Sequence, residues 1–225
     1  MLSNGGETMF KTVTLYTNKL KQLRGFYGNV LEIPIEQSTE EYFQISFGTS
    51  KLIFRYSELQ TSYHFAINIP GNQFTLAKHW AKERVLLNRE ASVDEIYYAR
   101  FEADAFYFED PAGNVIELIA RRNVDKWSDF SIDSFLNLSE VSITTPFVEE
   151  AGEKLQEIGI PISGNVQIEP DELNFLGKKD TFILLVPPNR RWYFSKRMSE
   201  TSPLEIVLAD GKEVLVNREG NISIQ

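Results

Sequence analysis

The chain has 225 residues, enough for one large domain or two modest ones with a full hydrophobic core. Its 23 basic and 32 acidic residues give a formal net charge of −9, which argues against nucleic acid and anionic membranes as main partners. Cysteine is absent, which excludes disulfides, thiolate nucleophiles and Cys-ligated metal centres. Only two histidines are present, His64 and His79, so an imidazole-rich site cannot form within one chain.

No stretch of the sequence has the length and apolar character of a membrane span. The purest aliphatic and aromatic run covers residues 182–186, against the ~20 apolar residues that a spanning helix needs. The N-terminal sequence also lacks the basic and apolar regions of a secretory signal. We therefore expect a cytoplasmic protein, with residues 1–8 as a flexible tail before the first strand.

A unit consisting of one alternating strand, one amphipathic helix and further strands recurs along the chain. The first copy has a strand at 11–16, a helix at about 20–30, and strands at 42–47 and 51–56. The second copy has a strand at 63–68, a helix at 74–87, and strands at 95–101, 105–108 and 115–120. These alternating elements predict an α+β protein.

A charged, broken stretch at 122–137 is the candidate linker to a third, more divergent copy at 138–225. This copy is predicted to have a helix at 147–158 and strands at 139–144, 171–177, 181–186, 191–194, 204–208 and 214–216. Gly159 is expected to stop the helix, and Asp210-Gly211 indicates a hairpin before the last strand.

The opening strands of the three copies each have one apolar and one polar face. The polar faces carry Thr12, Thr14 and Tyr16 in the first copy, His64, Ala66 and Asn68 in the second, and Glu140, Ser142 and Thr144 in the third. Because the apolar faces must pack on the helices, the polar faces look away from them. They form either a solvated sheet surface or a concave polar cleft.

One turn carries a more specific signal. The sequence Asp-Pro-Ala-Gly-Asn at 110–114, followed by Val-Ile-Glu-Leu at 115–118, comes ~50 residues after His64, which opens a strand. With the repeated unit, this pattern resembles the vicinal oxygen chelate superfamily, which includes glyoxalase I, bleomycin- and fosfomycin-resistance proteins and extradiol dioxygenases. The resemblance implies tandem βαβββ modules that form a cupped mixed β-sheet with helices outside. It further implies that modules 9–60 and 61–121 pair into a glyoxalase-like domain, 9–121.

The resemblance also implies divalent metal ligands on the opening and closing strands of a module pair. In the second module, His64 and Glu117 match these positions, and an imidazole with a carboxylate suits Zn, Ni, Mn or Fe. In the first module Thr12 stands where a histidine is expected, and the closing strand offers no ligand. His79 is expected outside the cup. We therefore expect either no metal or one weakly held divalent ion.

The closing strand of the first module suggests a different chemistry. If Ile53 aligns with Glu117, Lys51 and Arg55 point into the cup, where a guanidinium could clamp a carboxylate or phosphate. A register slip of one residue would turn Arg55 to the other face, and a solvated edge charge is the alternative. The expected cleft-lining residues are Thr12, Thr14, Tyr16, Ala66, Asn68 and Arg55.

The third module has a ligand-like residue, Glu140, for which Glu205 is the candidate mate. Because modules of this kind bury their sheets in pairs, the third one either caps the first pair or dimerises with its copy, and we expect a homodimer. The basic, aromatic stretch 187–193 is either an interface or a structural turn.

Two functions are compatible with these residues. The first is the binding of a small anionic or aromatic molecule in a cupped cleft with a degenerate metal site and no catalysis. The alternative is a metal-dependent lyase, isomerase or dioxygenase-like enzyme that uses His64 and Glu117, with Glu117 as the catalytic base. The missing ligands of the first module favour binding and disfavour ring-cleaving dioxygenase chemistry.

Overall fold

A computed structural model describes residues 9–225, so the tail expected at 1–8 lies outside the described residues. The described chain is mixed α+β, as predicted. Its first eight strands are β1 (Phe10–Thr17), β2 (Gln37–Ser38), β3 (Tyr42–Phe47), β4 (Ser50–Tyr56), β5 (His64–Pro70), β6 (Ile96–Tyr98), β7 (Ala103–Glu109) and β8 (Val115–Arg121). The others are β9 (Asn137–Thr144), β10 (Ile162–Ser163), β11 (Asn174–Lys178), β12 (Thr181–Val186), β13 (Leu204–Leu208), β14 (Glu213–Val216) and β15 (Ile222–Ile224).

The three predicted helices are confirmed, with shifted ends. They are α1 (Leu20–Gly25), which continues as a π-helical turn over Phe26–Val30, α2 (Phe74–Lys82) and α3 (Val148–Glu157). Helix α3 ends before Gly159, whose φ of +91° is the left-handed conformation expected at this position. The strand predicted at 191–194 is wrong, because that segment forms no sheet ladder and only Arg191 makes an isolated bridge, to Met198.

The strands form two mixed sheets. The first has the order β15-β14-β13-β1-β4-β3-β2, and the second has the order β10-β11-β12-β9-β5-β8-β7-β6. In the second sheet β5 runs parallel to β8, β9 runs parallel to β12, and the two pairs join through the antiparallel contact of β5 with β9. The second and third modules therefore share one continuous sheet.

This pairing differs from the expected one, in which modules 9–60 and 61–121 form a single cup. Strand β1 lies in the other sheet, between β4 and β13. The reason is that β13, extended by β14 and β15, is the antiparallel partner on the free side of β1, while β9 occupies the corresponding side of β5. The division of the chain into separate domains stays a prediction.

The predicted apolar faces of the opening strands are buried in one core. This core includes Val13 and Leu15 of β1, Phe65 and Ile67 of β5, and Val141 and Ile143 of β9. Residues of α1, α2 and α3 pack against the same core. In both sheets the opposite face of these strands is therefore free for polar side chains. Within residues 9–225, no helix combines the length and apolar character needed to cross a bilayer.

The C-terminal end of the expected linker 122–137 contacts both sheets, while residues 122–131 are mostly exposed. The Phe135 ring meets Phe47 edge-on at 5.4 Å and Trp80 at 5.8 Å between centroids. The backbone N–H of Thr49 donates to the carbonyl of Leu136 at 3.0 Å, and the N–H of Leu136 donates to the carbonyl of Asn68 at 2.9 Å. This segment therefore ties the β3–β4 turn of the first sheet to β5 of the second.

The turn at Gly48 makes a specific stability prediction. Gly48 has φ of +53°, and a Cβ atom at this position would lie 2.0 Å from the carbonyl oxygen of Leu136. We expect Gly48→Ala to lower the free energy of unfolding by about 1–3 kcal/mol or more, through backbone strain and this clash. Chemical denaturation measures the change.

Gly25→Ala is the matched control, because Gly25 lies in α1 and a Cβ there would meet no atom of residues 9–225 within 4 Å. We expect this control to be neutral or stabilising. Equal stability of the two variants would contradict the proposed contact.

Candidate functional site

The register of the second sheet brings three ionisable side chains together. Ala66 on β5 is the direct neighbour of Glu117 on β8 and of Glu140 on β9. His64 lies two residues before Ala66, so its side chain is on the same face. The imidazole and the two carboxylates thus meet above the centre of the sheet.

The three groups form a compact, buried cluster. His64 Nε2 is 3.6 Å from Glu117 Oε2 and 4.0 Å from Glu140 Oε2. One potential ligand atom from each residue lies within 4.8 Å of the other two. Because each of these residues exposes less than a twentieth of its surface, water contributes little to their solvation.

The hydrogen bonds of His64 fix the protonation state of its ring. Nδ1 is 3.0 Å from the carbonyl oxygen of Val115, which can only accept, so Nδ1 carries the hydrogen. Burial lowers the pKa of His64 to about 4, and the charge of Arg190 adds to this effect. The ring is therefore neutral at pH 7, with the lone pair of Nε2 directed at the carboxylates, which is the arrangement of a metal-binding histidine.

The two carboxylates differ in their partners. Glu140 Oε1 accepts a hydrogen bond from Nη2 of the buried Arg121 at 3.1 Å. Glu117 Oε1 is buried and has no hydrogen-bond partner within the described range 9–225. Burial and, secondarily, the charge of Glu140 raise the pKa of Glu117 well above its ordinary value. Burial also raises the pKa of Glu140, and Arg121 opposes this rise.

Arg121 is held by an irregularity in β9. The register shift between Ala66 and Ile67 leaves Ser139 without a partner on β5, and the Ser139 hydroxyl accepts from Arg121 Nη1 at 2.7 Å. The same guanidinium donates to the side-chain oxygen of Asn68. Arg121 therefore fixes one face of Glu140 and leaves the other directed at His64.

This donor set fits a divalent cation. The neutral imidazole nitrogen Nε2 of His64 faces Glu117 Oε2 at 3.6 Å, and the other oxygen of this buried carboxylate, Oε1, has no hydrogen-bond partner among residues 9–225, an arrangement that is unfavourable unless a proton or a cation lies between the groups. One nitrogen and two carboxylate ligands suit Zn, Mn, Fe or Ni.

The matching position of the third module carries no ligand. His64 and Glu140 occupy equivalent places on β5 and β9. His64 lies opposite Ser142, two residues after Glu140, and Glu140 lies opposite Ala66, two residues after His64. Glu117 pairs with Ala66, and in the third module Leu184 pairs with Ser142 in the same way. Among residues 9–225 this cluster therefore offers three potential ligands, and an apolar side chain stands at the matching fourth position.

The cluster opens into a cavity of about 390 Å³. The segment between β12 and β13, residues 187–203, covers one side and is called here the closing segment. Its Trp192 ring lies 4.9 Å from the His64 ring, between centroids. The aromatic residues that line the cavity are Tyr97, Tyr98, Phe101, Tyr107, Phe175, Trp192 and Tyr193. The cavity is thus lined mainly by apolar and aromatic side chains, with a few charged groups among them.

The structure brings together some of the predicted site residues. His64 and Glu117 line the same cavity, joined by Glu140. Ala66 lies beneath them, and Asn68 is buried and bonded to Arg121 and Asn137. His79 is on the exposed surface of α2, where it pairs with Glu83, as expected for a residue outside the cup.

The other expected cleft residues lie elsewhere. Thr12, Thr14, Tyr16 and Arg55 are on β1 and β4 of the first sheet, so they do not line this cavity. The Tyr16 hydroxyl donates to Glu205, which is therefore not the mate of Glu140. The expectation of one shared cleft is corrected because β1 pairs with β13 instead of joining the sheet of β5.

Sequence reasoning missed Arg121, Leu184 and the cationic lining residues of the cavity. The basic, aromatic stretch at 187–193 was the available signal, because it contains Arg190 and Trp192. The stretch is far from His64 in sequence, so its contact with His64 could not be predicted. The contact forms because the chain after β12 folds back over β5.

Because the Glu117 carboxylate is buried, we expect its removal to stabilise the protein in a pH-dependent way. Folding raises the pKa of Glu117 above its ordinary 4.5. Below pH 4.5 the carboxyl is protonated in both the folded and the unfolded chain, so its burial does not lower the free energy of unfolding. This stability is lost as the pH rises through the folded pKa. In EDTA-treated protein we expect Glu117→Gln to have a higher Tm than wild type at pH 8 and a similar Tm at pH 4.5.

Glu58→Gln is the control, because it removes the same charge from an exposed position. Thermal melts of both variants and of wild type from pH 4.5 to pH 8 measure the effect. A lower Tm for Glu117→Gln at pH 8 would show that the carboxylate is not a buried, penalised charge.

Comparison with known proteins gives a partial match in sequence. The family model of the toxoflavin-degrading enzyme matches residues 138–190, from β9 through β12 to the start of the closing segment. This range includes Glu140, Leu184 and Arg190. No curated protein matches the sequence.

Solved structures are similar over most of the chain. A glyoxalase I mutant from Zea mays has a TM-score of 0.57 at 13% identity, over 96% of this chain and 91% of that one. A second mutant of the same enzyme has a TM-score of 0.56 at 13% identity, over 96% and 92%. A protein from Bacillus subtilis classed with the dioxygenases has a TM-score of 0.56 at 14% identity, over 80% of this chain and 64% of that one, so this chain spans less than two thirds of its length. The resemblance to the vicinal oxygen chelate superfamily is thus confirmed at the level of the fold, and this chain has the fold of the glyoxalase and dioxygenase proteins.

Proposed function

We propose that this protein binds a small molecule in the aromatic cavity, next to one divalent metal ion held by His64, Glu117 and Glu140. The observation that carries the proposal is the pair formed by His64 Nε2, which has a free lone pair, and Glu117 Oε2, 3.6 Å away, in a buried carboxylate whose other oxygen has no hydrogen-bond partner among residues 9–225. A cation satisfies both atoms at once, and metal-binding histidines are held in this way by a second hydrogen bond.

The set of three ligands also bears on the binding of the small molecule. Since Leu184 stands at the matching fourth position, a metal ion held by His64, Glu117 and Glu140 would have three protein ligands and would keep open coordination places. Sites with such open places exchange water for a ligand oxygen. A ligand with two neighbouring oxygen atoms fits this arrangement.

The chain's own residues have separable parts in this proposal. Arg121 holds Glu140 in place from behind, while Trp192 and Tyr107 cover the His64 ring and exclude water from it. The Tyr98 and Tyr107 hydroxyls, 2.6 Å apart, provide donors at the cavity wall. When bound, the metal ion would act as a Lewis acid toward ligand oxygens.

A metal-dependent enzyme is the second candidate function, of the lyase, isomerase or dioxygenase-like kind. The raised pKa of Glu117 favours it, because a buried carboxylate with a raised pKa is suited to accept a proton near neutral pH. The Zea mays and Bacillus subtilis proteins of similar fold are named for a glyoxalase and a dioxygenase. In this candidate function Glu117 is the catalytic base, with His64 as a metal ligand.

Two further expectations stay predictions, the homodimer and the cytoplasmic location. The cavity is formed by the second sheet and the closing segment of one chain. The candidate site therefore does not need a second copy for its ligands.

Thermal melting tests the metal site directly. Protein stripped with EDTA is melted alone and with Zn, Ni, Mn, Fe(II) or Mg. An ion present at ~100 times its dissociation constant stabilises the native state by roughly 2.7 kcal/mol. We expect at least one of the first four ions to raise the Tm of wild type, and His64→Ala and Glu140→Gln to lose that rise.

Glu205→Gln is the control, because Glu205 bonds to Tyr16 in the first sheet. We expect this variant to keep the full rise in Tm. A wild-type Tm that no ion changes, or a rise that persists in His64→Ala, would rule out the proposed ligand set.

A further inference from the structure

Two cations of the cavity have no acidic partner. Arg100 and Arg190 both line the cavity, and among residues 9–225 neither forms an ion pair. The contrast within the closing segment is direct. Arg191 forms a two-point contact with Glu90 at 2.8 and 2.9 Å, and Arg197 binds Glu109 at 3.1 Å.

The available donors of these two arginines are held by weak contacts. In the part of the chain that the structure describes, the one hydrogen-bond partner of Arg190 Nη1 is the carbonyl of Arg191, at 3.5 Å. Arg100 Nη2 reaches the Ser163 hydroxyl at 3.3 Å, while its guanidinium lies over the rings of Phe101 and Phe175 at 5.0 and 5.5 Å from their centroids. Each guanidinium has five N–H donors, so several of them remain available to a ligand.

The charge balance of the filled site points the same way. A divalent ion would balance the carboxylates of Glu117 and Glu140, and Arg121 would add a positive charge behind them. Arg100 and Arg190 then make the cavity positive. A cavity of this sign favours an anionic ligand.

The wall of the cavity selects for rings. Seven aromatic side chains line it, among them the closing-segment residues Trp192 and Tyr193. Flat rings pack on such walls in offset or edge-on contacts and gain more than an aliphatic group of the same size. A volume of about 390 Å³ is at the small end of ligand sites, which suits one or two fused rings.

From these observations we infer that the cavity binds a flat aromatic anion, whose ring lies among the tyrosine, phenylalanine and tryptophan side chains and whose carboxylate or phenolate contacts Arg190 and Arg100. This inference rests on the proposed function for the location of the ligand. It depends on the metal only for part of the positive charge.

Matched pairs of charged and neutral compounds test the inference. Benzoate, salicylate and 2-naphthoate are titrated calorimetrically into the protein, each beside its amide, which keeps the shape and removes the charge. Acetate provides the charge without a ring. Because hydrogen bonds to a charged group are stronger than those to a neutral one, we expect at least one acid to bind about tenfold or more tightly than its amide and than acetate.

The variants Arg190→Met and Arg100→Met separate the two guanidiniums. We expect each to lose about tenfold in affinity for the acid and to leave the affinity for the amide unchanged. Arg218→Met is the matched control, because it removes one positive charge from the exposed turn after β14. Circular dichroism and thermal melts check that each variant is folded.

Three results would overturn the inference. They are equal affinity for acid and amide, no binding of any of the aromatic acids, or wild-type affinity for the acid in both Arg190→Met and Arg100→Met.

The titrations are repeated with EDTA-treated and metal-loaded protein, so that the two proposals fail separately. Binding that depends on Arg190 in a protein whose Tm no metal raises supports the aromatic anion and rejects the metal site. A Tm that a metal ion raises, in a protein that binds the acids no more tightly than their amides, supports the metal site and rejects the aromatic anion.

Discussion

The antiparallel pairing of β5 with β9 is the constraint on which the candidate site depends. It places Ala66 between Glu117 and Glu140, and it sets His64 opposite Ser142, whose hydroxyl accepts the backbone N–H of His64 at 3.0 Å. A shift of one residue in this register would turn Glu140 into the core. The break in register at Ser139 then gives Arg121 a hydroxyl to bind, so the same irregularity holds both Arg121 and Glu140.

The site contains ionisable groups in a buried position, where the loss of hydration disfavours their charged forms. Two carboxylates and one guanidinium are nearly inaccessible to water, and Arg121 contacts only one of the two carboxylates. A buried, unpaired acid weakens a fold, and packing alone does not require one at this position. Such clusters are typical of functional sites because binding and proton transfer need groups with shifted pKa values.

The closing segment turns a sheet surface into a cavity. Trp192 and Phe194 pack on the rings of His64 and Tyr107, and the segment is fixed from outside by the Arg191–Glu90 and Arg197–Glu109 ion pairs. Phe194 has φ of +51°, a strained conformation for a bulky residue, which the stacking on Tyr107 and the surrounding bonds maintain. The aromatic walls of the site therefore come partly from the sheet and partly from this segment.

The sequence by itself determined the repeated module, the helices, the apolar faces of β1, β5 and β9, and the pair of His64 with Glu117. The modules, helices and apolar faces follow from local periodicity, which depends on neighbouring residues only, whereas the pairing of His64 with Glu117 followed from the resemblance to a known family. The tertiary structure decided which modules pair, and so it gave the place beside His64 to Glu140 instead of Thr12. It also brought Arg190 and Trp192 into the same cavity as His64, from which they are more than a hundred residues away in sequence. Edge strands of similar modules offer nearly equivalent backbone partners, so strand order is settled by the packing of the whole chain and not by any local pattern.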